Sequence, residues 1–144
     1  MDRFNLGTHT RTISTTSTEA QRWFDIGMNW LYGFNHEEAV TCFERAIEYD
    51  PDCVMAHWGA ALGAGPFYNY GWRQFSTEEA NEATDFGHGH IQKARALAHT
   101  ATDVENALVE ALAMRFQYSH SVSVSEFDQC DDDYADAMRG VYQR

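Results

Sequence analysis

Apolar residues recur every three or four positions over two neighbouring stretches near the start of the chain. The recurring positions are Trp23, Ile26, Gly27 and Trp30 in the first stretch, and Ala39, Phe43, Ala46 and Ile47 in the second. A period of 3.6 residues predicts two amphipathic helices. Gly33 and Asn35 separate them, and Pro51 ends the second because proline disrupts a helix interior. The small side chains of Gly27 and Ala39 would let the two helices pack closely.

Helix-start signals extend this pattern along the chain. A hydroxyl residue followed three positions later by glutamate, the capping-box arrangement, occurs at Thr16–Glu19, Ser76–Glu79 and Thr102–Glu105. Asn35 is a favourable N-cap for the second helix. The predicted helices cover about 16–33, 36–50, 53–63, 77–98, 103–116 and 134–141. Residues 118–130 are predicted to form a polar break.

One connection is much longer than a usual helix–helix turn. Residues 63–75 read GAGPFYNYGWRQF, and their large side chains are Phe67, Tyr68, Tyr70, Trp72 and Phe75. An ordered loop of this length in a helical protein is uncommon and often functional. The aromatic residues are expected either to pack on one another or to cover a site.

The first two helices resemble a tetratricopeptide repeat, a 34-residue helix–turn–helix unit. Residues 20–53 carry the expected residue, or a close substitute, at eight signature positions: Trp23, Ile26, Gly27, Trp30, Ala39, Phe43, Ala46 and Pro51. This resemblance implies an all-α fold, a right-handed solenoid of antiparallel helix pairs with about six helices. Residues 1–15 would form an irregular N-terminal segment and residues 16–144 the helical domain.

Several strings also resemble one group of long, mostly uncharacterised bacterial and fungal proteins with this repeat. They are LGTHTR, WFDIGMNWLYGFNHEEAVTCFERA, DPDCVMAHWGAALGAGPFYN, VENALVEALAMRF and YADAMRGVY. The resemblance implies further helical repeats after this chain, and it brings no firmly known activity. The last helix stops abruptly, so we expect the chain to be the N-terminal part of a longer solenoid.

Composition narrows the classes of partner. Of 144 residues, 44% are hydrophobic and 14% aromatic, which excludes a disordered tail, and the net charge is −12. That charge argues against nucleic acid or an anionic membrane as a partner, and it is compatible with a basic or neutral protein or a cation. The three cysteines have no paired spacing, and no apolar run suits a signal peptide or a membrane span. A cytoplasmic location is therefore expected.

The first candidate site is the concave face of the array, which in these repeats binds a peptide or a partner helix. The corresponding positions here are Phe24, Met28, Trp58 and Leu62. All four are apolar, so a clamp for a peptide carboxylate, which needs Lys, Asn and Arg, is not expected. An amphipathic segment would fit such a face. The alternative is that further repeats or a second copy cover it.

The second candidate is a metal site, because the chain has seven histidines and many carboxylates. His88 and His90 point about 200° apart on a helix and cannot share an ion. No HExxH motif occurs. His36 and His57 are attractive ligands, but the hairpin geometry keeps them about two helical turns apart. No cofactor is predicted, and a divalent metal remains an alternative.

The third candidate lies at one end of the array. The hairpin should bring His36 and Glu37 close to the loop 65–72, so that they would face Tyr68, Asn69 and Trp72. Polar groups converging in an apolar setting are typical of a binding or catalytic site. The alternative is that His36 and Glu37 only start a helix and that the loop closes the end of the array.

These observations favour a non-catalytic scaffold that binds a protein or peptide through an apolar concave face. The rival is an enzyme or enzyme domain that uses His36, Glu37 and the loop 65–72, with a divalent metal as an option. No motif for a nucleophile or a phosphate loop occurs. Self-association is also expected, because the last helix lacks a cover.

Overall fold

Six α-helices and two short 3-10 turns make up the fold in the computed structural model, which describes residues 5–143. The helices are α1 (Thr18–Tyr32), α2 (His36–Tyr49), α3 (Val54–Ala64), α4 (Thr77–Ala96), α5 (Asp103–Ala113) and α6 (Val124–Tyr142). Among the described residues the only β-type pairing is an isolated bridge between Phe67 and Tyr70. The prediction of an all-α helix-pair array with about six helices is confirmed. Within residues 5–143, no helix has both the length and the apolar character needed to cross a membrane.

Helix α1 begins one residue later than predicted. Its N-cap is Ser17, whose hydroxyl accepts a hydrogen bond from the Ala20 N–H at 3.2 Å. The predicted box of Thr16 with Glu19 was wrong because neighbouring hydroxyl residues compete for this role. The Thr15 hydroxyl donates to Asp50 and accepts from the Ser17 N–H at 3.1 Å.

The turn between α1 and α2 has an unexpected backbone conformation. Asn35 caps α2 as predicted and accepts from the Glu38 N–H at 3.3 Å. Gly33 ends α1 with an ordinary φ of −80°, and the left-handed residue is Phe34, with φ of 62°. A bulky residue in that region is strained, and such strain is frequent at functional sites.

Helix α3 is the central helix of the molecule. Nine of its eleven residues are buried, including His57 and Trp58, and it packs against α1, α2, α4 and α5. A helix that is apolar all round has no solvent face, so it is surrounded by others. The repeat of α1 and α2 is therefore continued by α3 and α4.

Two buried phenylalanines are packed against glycines. A Cβ atom at Gly27 of α1 would lie 2.7 Å from the Phe43 ring, and one at Gly59 of α3 would lie 2.6 Å from it. Likewise, a Cβ atom at Gly87 of α4 would lie 2.3 Å from the Phe116 ring. These contacts are closer than real Cβ atoms allow, so the glycines set the spacing of the helices.

The last helix differs from its prediction. Helix α6 begins after Ser123, which forms a capping box with Glu126. The prediction of a polar break is confirmed for residues 118–123 and was wrong for residues 124–130, which already belong to the helix. Phe127, which is 4% exposed, anchors the first turns of α6 in the core. The predicted boxes that start α4 and α5 are confirmed.

The N-terminal residues before α1 fold back along it. Residues 9–13 form hydrogen bonds with polar side chains of α1, and Ser14 with Glu105 of α5. Ile13 is 5% exposed and joins the core. Residues 1–4 and residue 144 lie outside the described part of the chain.

Candidate functional site

A groove of about 430 Å³ lies where the end of α1, the loop after α3 and helix α6 meet. Its lining residues are Leu31, Tyr32, Phe34, His36, Leu62, Pro66, Phe67, Tyr68, Gly71, Arg115 and Asp131. Most of these side chains are apolar or aromatic, and the charged groups among them are Arg115 and Asp131. This composition is typical of a ligand or peptide site.

Aromatic side chains form the rim of this groove. Tyr68 is 95% exposed, Tyr32 71% and Phe34 60%. Large aromatic residues are strongly apolar, and three of them around one depression form a patch rather than scattered surface residues. The left-handed backbone of Phe34 is part of this rim, so the strained residue and the exposed patch coincide.

Arg115 and its contacts form the polar part of the groove. Arg115 donates from Nε to Asp131 Oδ1 at 2.8 Å and from Nη1 to the Pro66 carbonyl at 3.4 Å. Its guanidinium carbon lies 4.2 Å from the centre of the Tyr134 ring. The Arg115 side chain is only 16% exposed, whereas Asp131 is 37% exposed. The Arg115 charge is therefore neutralised within the groove by Asp131, the more exposed member of the pair.

His36 stands at the other side of the groove, in contact with the aromatic loop. Its ring stacks on Phe67 with centroids 3.7 Å apart, and its Nδ1 lies 3.3 Å from the Gly63 carbonyl oxygen. Because a carbonyl can only accept, Nδ1 carries the proton and Nε2 is the acceptor in the neutral ring. Burial lowers the pKa of His36, although its hydrogen bond with Gly63 opposes this effect. His36 is thus a neutral, apolar-facing wall of the groove near pH 7.

The other residues predicted for this end of the array have different positions. Glu37 is exposed and lines a second, more polar depression of about 740 Å³ on the far side of His36, together with Glu79. Asn69 is exposed at the tip of the loop. Trp72 is buried and stacks on Phe127 with centroids 4.3 Å apart. Among residues 5–143, no hydrogen bond joins the His36 ring to a carboxylate.

The residues predicted for the concave face are buried in this structure. Phe24 has no exposed surface, Met28 is 5% exposed and Trp58 is 6% exposed. Phe24 packs on Phe43 with ring centroids 5.6 Å apart. Leu62, the fourth predicted position, is partly exposed and lines the groove. A partner can therefore reach the predicted face only at its Leu62 end.

His57, which is buried, pairs with a partly buried histidine of the next helix. Its Nδ1 lies 2.9 Å from Nδ1 of His90, and its Nε2 lies 3.0 Å from the Pro51 carbonyl oxygen. The carbonyl can only accept, so His57 donates from Nε2 and accepts at Nδ1 from His90. His88 points elsewhere and donates to the Phe116 carbonyl at 2.9 Å. The pair gives His57 a packing role inside the array.

The histidine pair should make the stability depend on pH. Burial, then the neighbouring His57 and Lys93, lower the pKa of His90 from 6.5 to about 4. The unfolded chain therefore binds more protons below pH 6.5, and the stabilisation present above that pH is lost as pH falls towards 4. We expect the free energy of unfolding to fall by roughly 1–2 kcal/mol from this pair between pH 7 and pH 5, a value reduced for partial exposure.

Urea unfolding of the wild type and a His90→Asn variant at the two pH values measures this effect. The variant should lose that part of the pH dependence, whereas replacing the exposed His99 with asparagine should leave it unchanged. Equal pH dependence in the wild type and His90→Asn would contradict the assignment.

Sequence reasoning missed the most important polar residues of this site. Arg115 lies at the end of a predicted helix, and Asp131 lies between the predicted polar break and the last predicted helix; nothing in their spacing connects them with the loop at Pro66. Their contact comes from tertiary packing of α6. A correct prediction of the Ser123–Glu126 capping box would have placed Asp131 on a helix and made the pairing with Arg115 conceivable.

The metal-site hypothesis requires several ligating side chains that lie close together. Within residues 5–143, no three His, Cys, Asp or Glu side chains are grouped so that they could hold a metal ion. His36, His57 and His88 each contact a backbone carbonyl oxygen through a ring nitrogen. These histidines therefore contribute to packing and to helix connections.

The geometry of α1 and α2 agrees with a comparison against known families. The sequence model of the tetratricopeptide repeat family matches residues 20–53. Residues 20–53, which include α1 and α2, are therefore similar to a tetratricopeptide repeat. Searches of curated proteins and of solved structures found no match. The resemblance to the group of long bacterial and fungal proteins stays a prediction.

Proposed function

We propose that the chain is a helical scaffold that binds a partner protein through the aromatic groove. The occupant we propose is a short peptide segment with one large apolar side chain next to a basic residue. The observation that carries this proposal is the ring of exposed aromatic residues, Tyr32, Phe34 and Tyr68, around a depression with an apolar base. A large exposed apolar patch is typical of a protein-interaction surface.

The charge around the groove supports a basic partner. Helix α6, which contributes Asp131 to the groove lining, contains six carboxylates and one arginine. The carboxylates are Glu126, Asp128, Asp131, Asp132, Asp133 and Asp136. Arg115 is already paired with Asp131, so it adds little net positive charge to the groove. A segment with Lys or Arg beside its apolar anchor would be attracted, and an acidic segment repelled.

One of the four residues predicted for the concave face, Leu62, lines the groove. Leu62 and Leu31 form its base, and both come from the first helices of the helix pairs, as expected for a tetratricopeptide-repeat surface. Phe24, Met28 and Trp58 instead support the groove from within the core. Their substitution would disturb folding, so they are unsuitable for testing binding.

Peptide binding tests this proposal directly. Fluorescent peptides of about eight residues, with a central Leu or Trp flanked by Lys and Arg, are compared with the same peptides flanked by Glu and Asp. We expect the basic set to bind and the acidic set not to bind, as measured by fluorescence anisotropy. Tyr68→Ala should weaken the binding at least tenfold, since truncation of an aromatic hot-spot residue commonly costs about 2 kcal/mol.

The chain provides a matched control for this substitution. Tyr142 is 93% exposed, similar to Tyr68, but it lies at the end of α6 and does not line the groove. Tyr142→Ala should bind the basic peptides as the wild type does. Equal loss in both variants, or no preference for basic peptides, would contradict the proposal.

A further inference from the structure

Three polar side chains of α1 form a ladder that binds an extended backbone. Gln21, Asp25 and Asn29 are spaced four residues apart and therefore lie on one face of the helix. The Gln21 amide accepts from the Ile13 N–H at 3.0 Å and donates to the Arg11 carbonyl at 2.8 Å. The Gln21 amide therefore bonds to two backbone positions that are two residues apart, as a neighbouring β-strand does when it pairs with an edge strand.

The other two members of the ladder continue this pattern. Asp25 accepts from the Arg11 N–H at 3.0 Å and from the Thr10 hydroxyl at 2.6 Å. Asn29 donates to the His9 carbonyl at 3.3 Å. Residues 9–13 are thus held mainly by their backbone groups, in the direction opposite to α1. We call residues 9–15 the N-terminal strap.

The end of the strap is fixed by an apolar anchor and a buried carboxylate. Ile13 is 5% exposed. Glu105, 4% exposed, accepts from the Ser14 N–H at 2.8 Å and from the Ser14 hydroxyl at 2.5 Å. Burial raises the pKa of Glu105, but hydrogen bonds from Ser14 and Thr102 outweigh burial, so its pKa lies below the ordinary value. The Thr15 hydroxyl also donates to Asp50.

These contacts define a peptide site with a recognisable pattern. The side chains that this site contacts are a hydroxyl at position 10, an aliphatic group at position 13 and hydroxyls at positions 14 and 15. The strap joins α1 only through Thr16 and the N-cap Ser17. Every hydrogen bond described above is made with side chains of α1, of α5 or of Asp50 at the end of α2, so a strap from another molecule could make all of them.

We propose that the ladder of one copy can bind the N-terminal strap of a second copy by exchange. The structure places the strap on its own ladder, and a short connection gives it an effective concentration of the order of millimolar. The closed monomer is therefore favoured in dilute solution. Exchange becomes the favoured state when the strap of one copy cannot occupy its own ladder.

A complementation experiment with the full chain tests this exchange. Ile13→Asp damages the strap and leaves the ladder intact, whereas Gln21→Ala damages the ladder and leaves the strap intact. Each variant alone should be monomeric by native mass spectrometry at about 20 μM. Their mixture should form a 1:1 heterodimer, in which the intact strap of one occupies the intact ladder of the other.

Two controls separate exchange from dimerisation through another surface. Thr12 is an exposed strap residue, so Thr12→Asp adds the same charge without removing the anchor, and its mixture with Gln21→Ala should stay monomeric. An excess of a synthetic peptide covering residues 7–16 should dissociate the heterodimer, because it competes for the ladder. A mixture of Ile13→Asp and Gln21→Ala that stays monomeric, or a heterodimer that the peptide does not affect, would overturn the proposal.

Circular dichroism establishes that each variant remains helical. If Ile13→Asp is unfolded, Ser14→Ala replaces it, because this substitution removes one hydroxyl bond to Glu105 and leaves the core side chains in place. The same two outcomes then decide the proposal.

Discussion

Replacing Phe43 with alanine should lower the free energy of unfolding by roughly 3–5 kcal/mol. The Phe43 side chain has no exposed surface and lies between Gly27 of α1 and Gly59 of α3. Loss of a buried phenyl ring removes its transfer free energy and leaves a cavity. With glycine on two sides, no neighbouring side chain there can move into the space, so the upper part of this range is expected.

Chemical denaturation followed by circular dichroism measures this loss. Phe34→Ala is the control, because it removes the same side chain from a position that is 60% exposed. Its effect should be at most about 1 kcal/mol. A loss of less than 2 kcal/mol for Phe43→Ala would contradict the central role of this ring between the first three helices.

Replacing Gly87 with alanine should lower the free energy of unfolding by about 2 kcal/mol. The new Cβ atom would lie 2.3 Å from the Phe116 ring, which is 1% exposed and is also in contact with Gly65. Overpacking in a core commonly costs about 1–3 kcal/mol and sometimes more. Alanine recovers about 1 kcal/mol through its higher helix propensity, so the net effect stays destabilising.

A second glycine of α4, Gly89, provides the control for Gly87→Ala. A Cβ atom at Gly89 would have no neighbour within 4 Å. Gly89→Ala should therefore stabilise the protein by about 1 kcal/mol, because only the propensity term remains. The two substitutions are identical in chemistry and should have opposite signs. Destabilisation by both, or by neither, would mean that Phe116 does not pack on α4 as described.

Local sequence signals predicted most of the helices and their caps. The period of 3.6 residues located α1 and α2, and the capping boxes at Ser76 and Thr102 located the starts of α4 and α5. These signals act within one or two helical turns, so they can be read without knowledge of the rest of the fold. The start of α6 was missed, although the pattern Ser123-x-x-Glu126 is of the same kind, because its polar surroundings resemble a loop.

The candidate site was predicted less completely because it depends on contacts between distant segments. The hairpin geometry was enough to predict that His36 lies close to the loop, and in the structure the His36 ring stacks on the Phe67 ring. Arg115 and Asp131 could not be found in this way, since they reach Pro66 only through the packing of α5 and α6. Exposure was also hard to predict, because Trp72 and Tyr68 have similar sequence contexts and very different burial.

The hydrogen bonds between Ser14 and Glu105 have a consequence for how the chain folds during synthesis. The two residues are 91 positions apart, so the partner of Ser14 is translated long after Ser14 itself. The α1–α2 pair, by contrast, depends on contacts within about thirty residues and can form as soon as that repeat has left the ribosome. Ser14 is thus made early but gains its contact with Glu105 only after α5 has been translated. Until α5 arrives, the strap depends on the bonds of residues 9–13 with the ladder on α1, which join positions 8 to 20 residues apart.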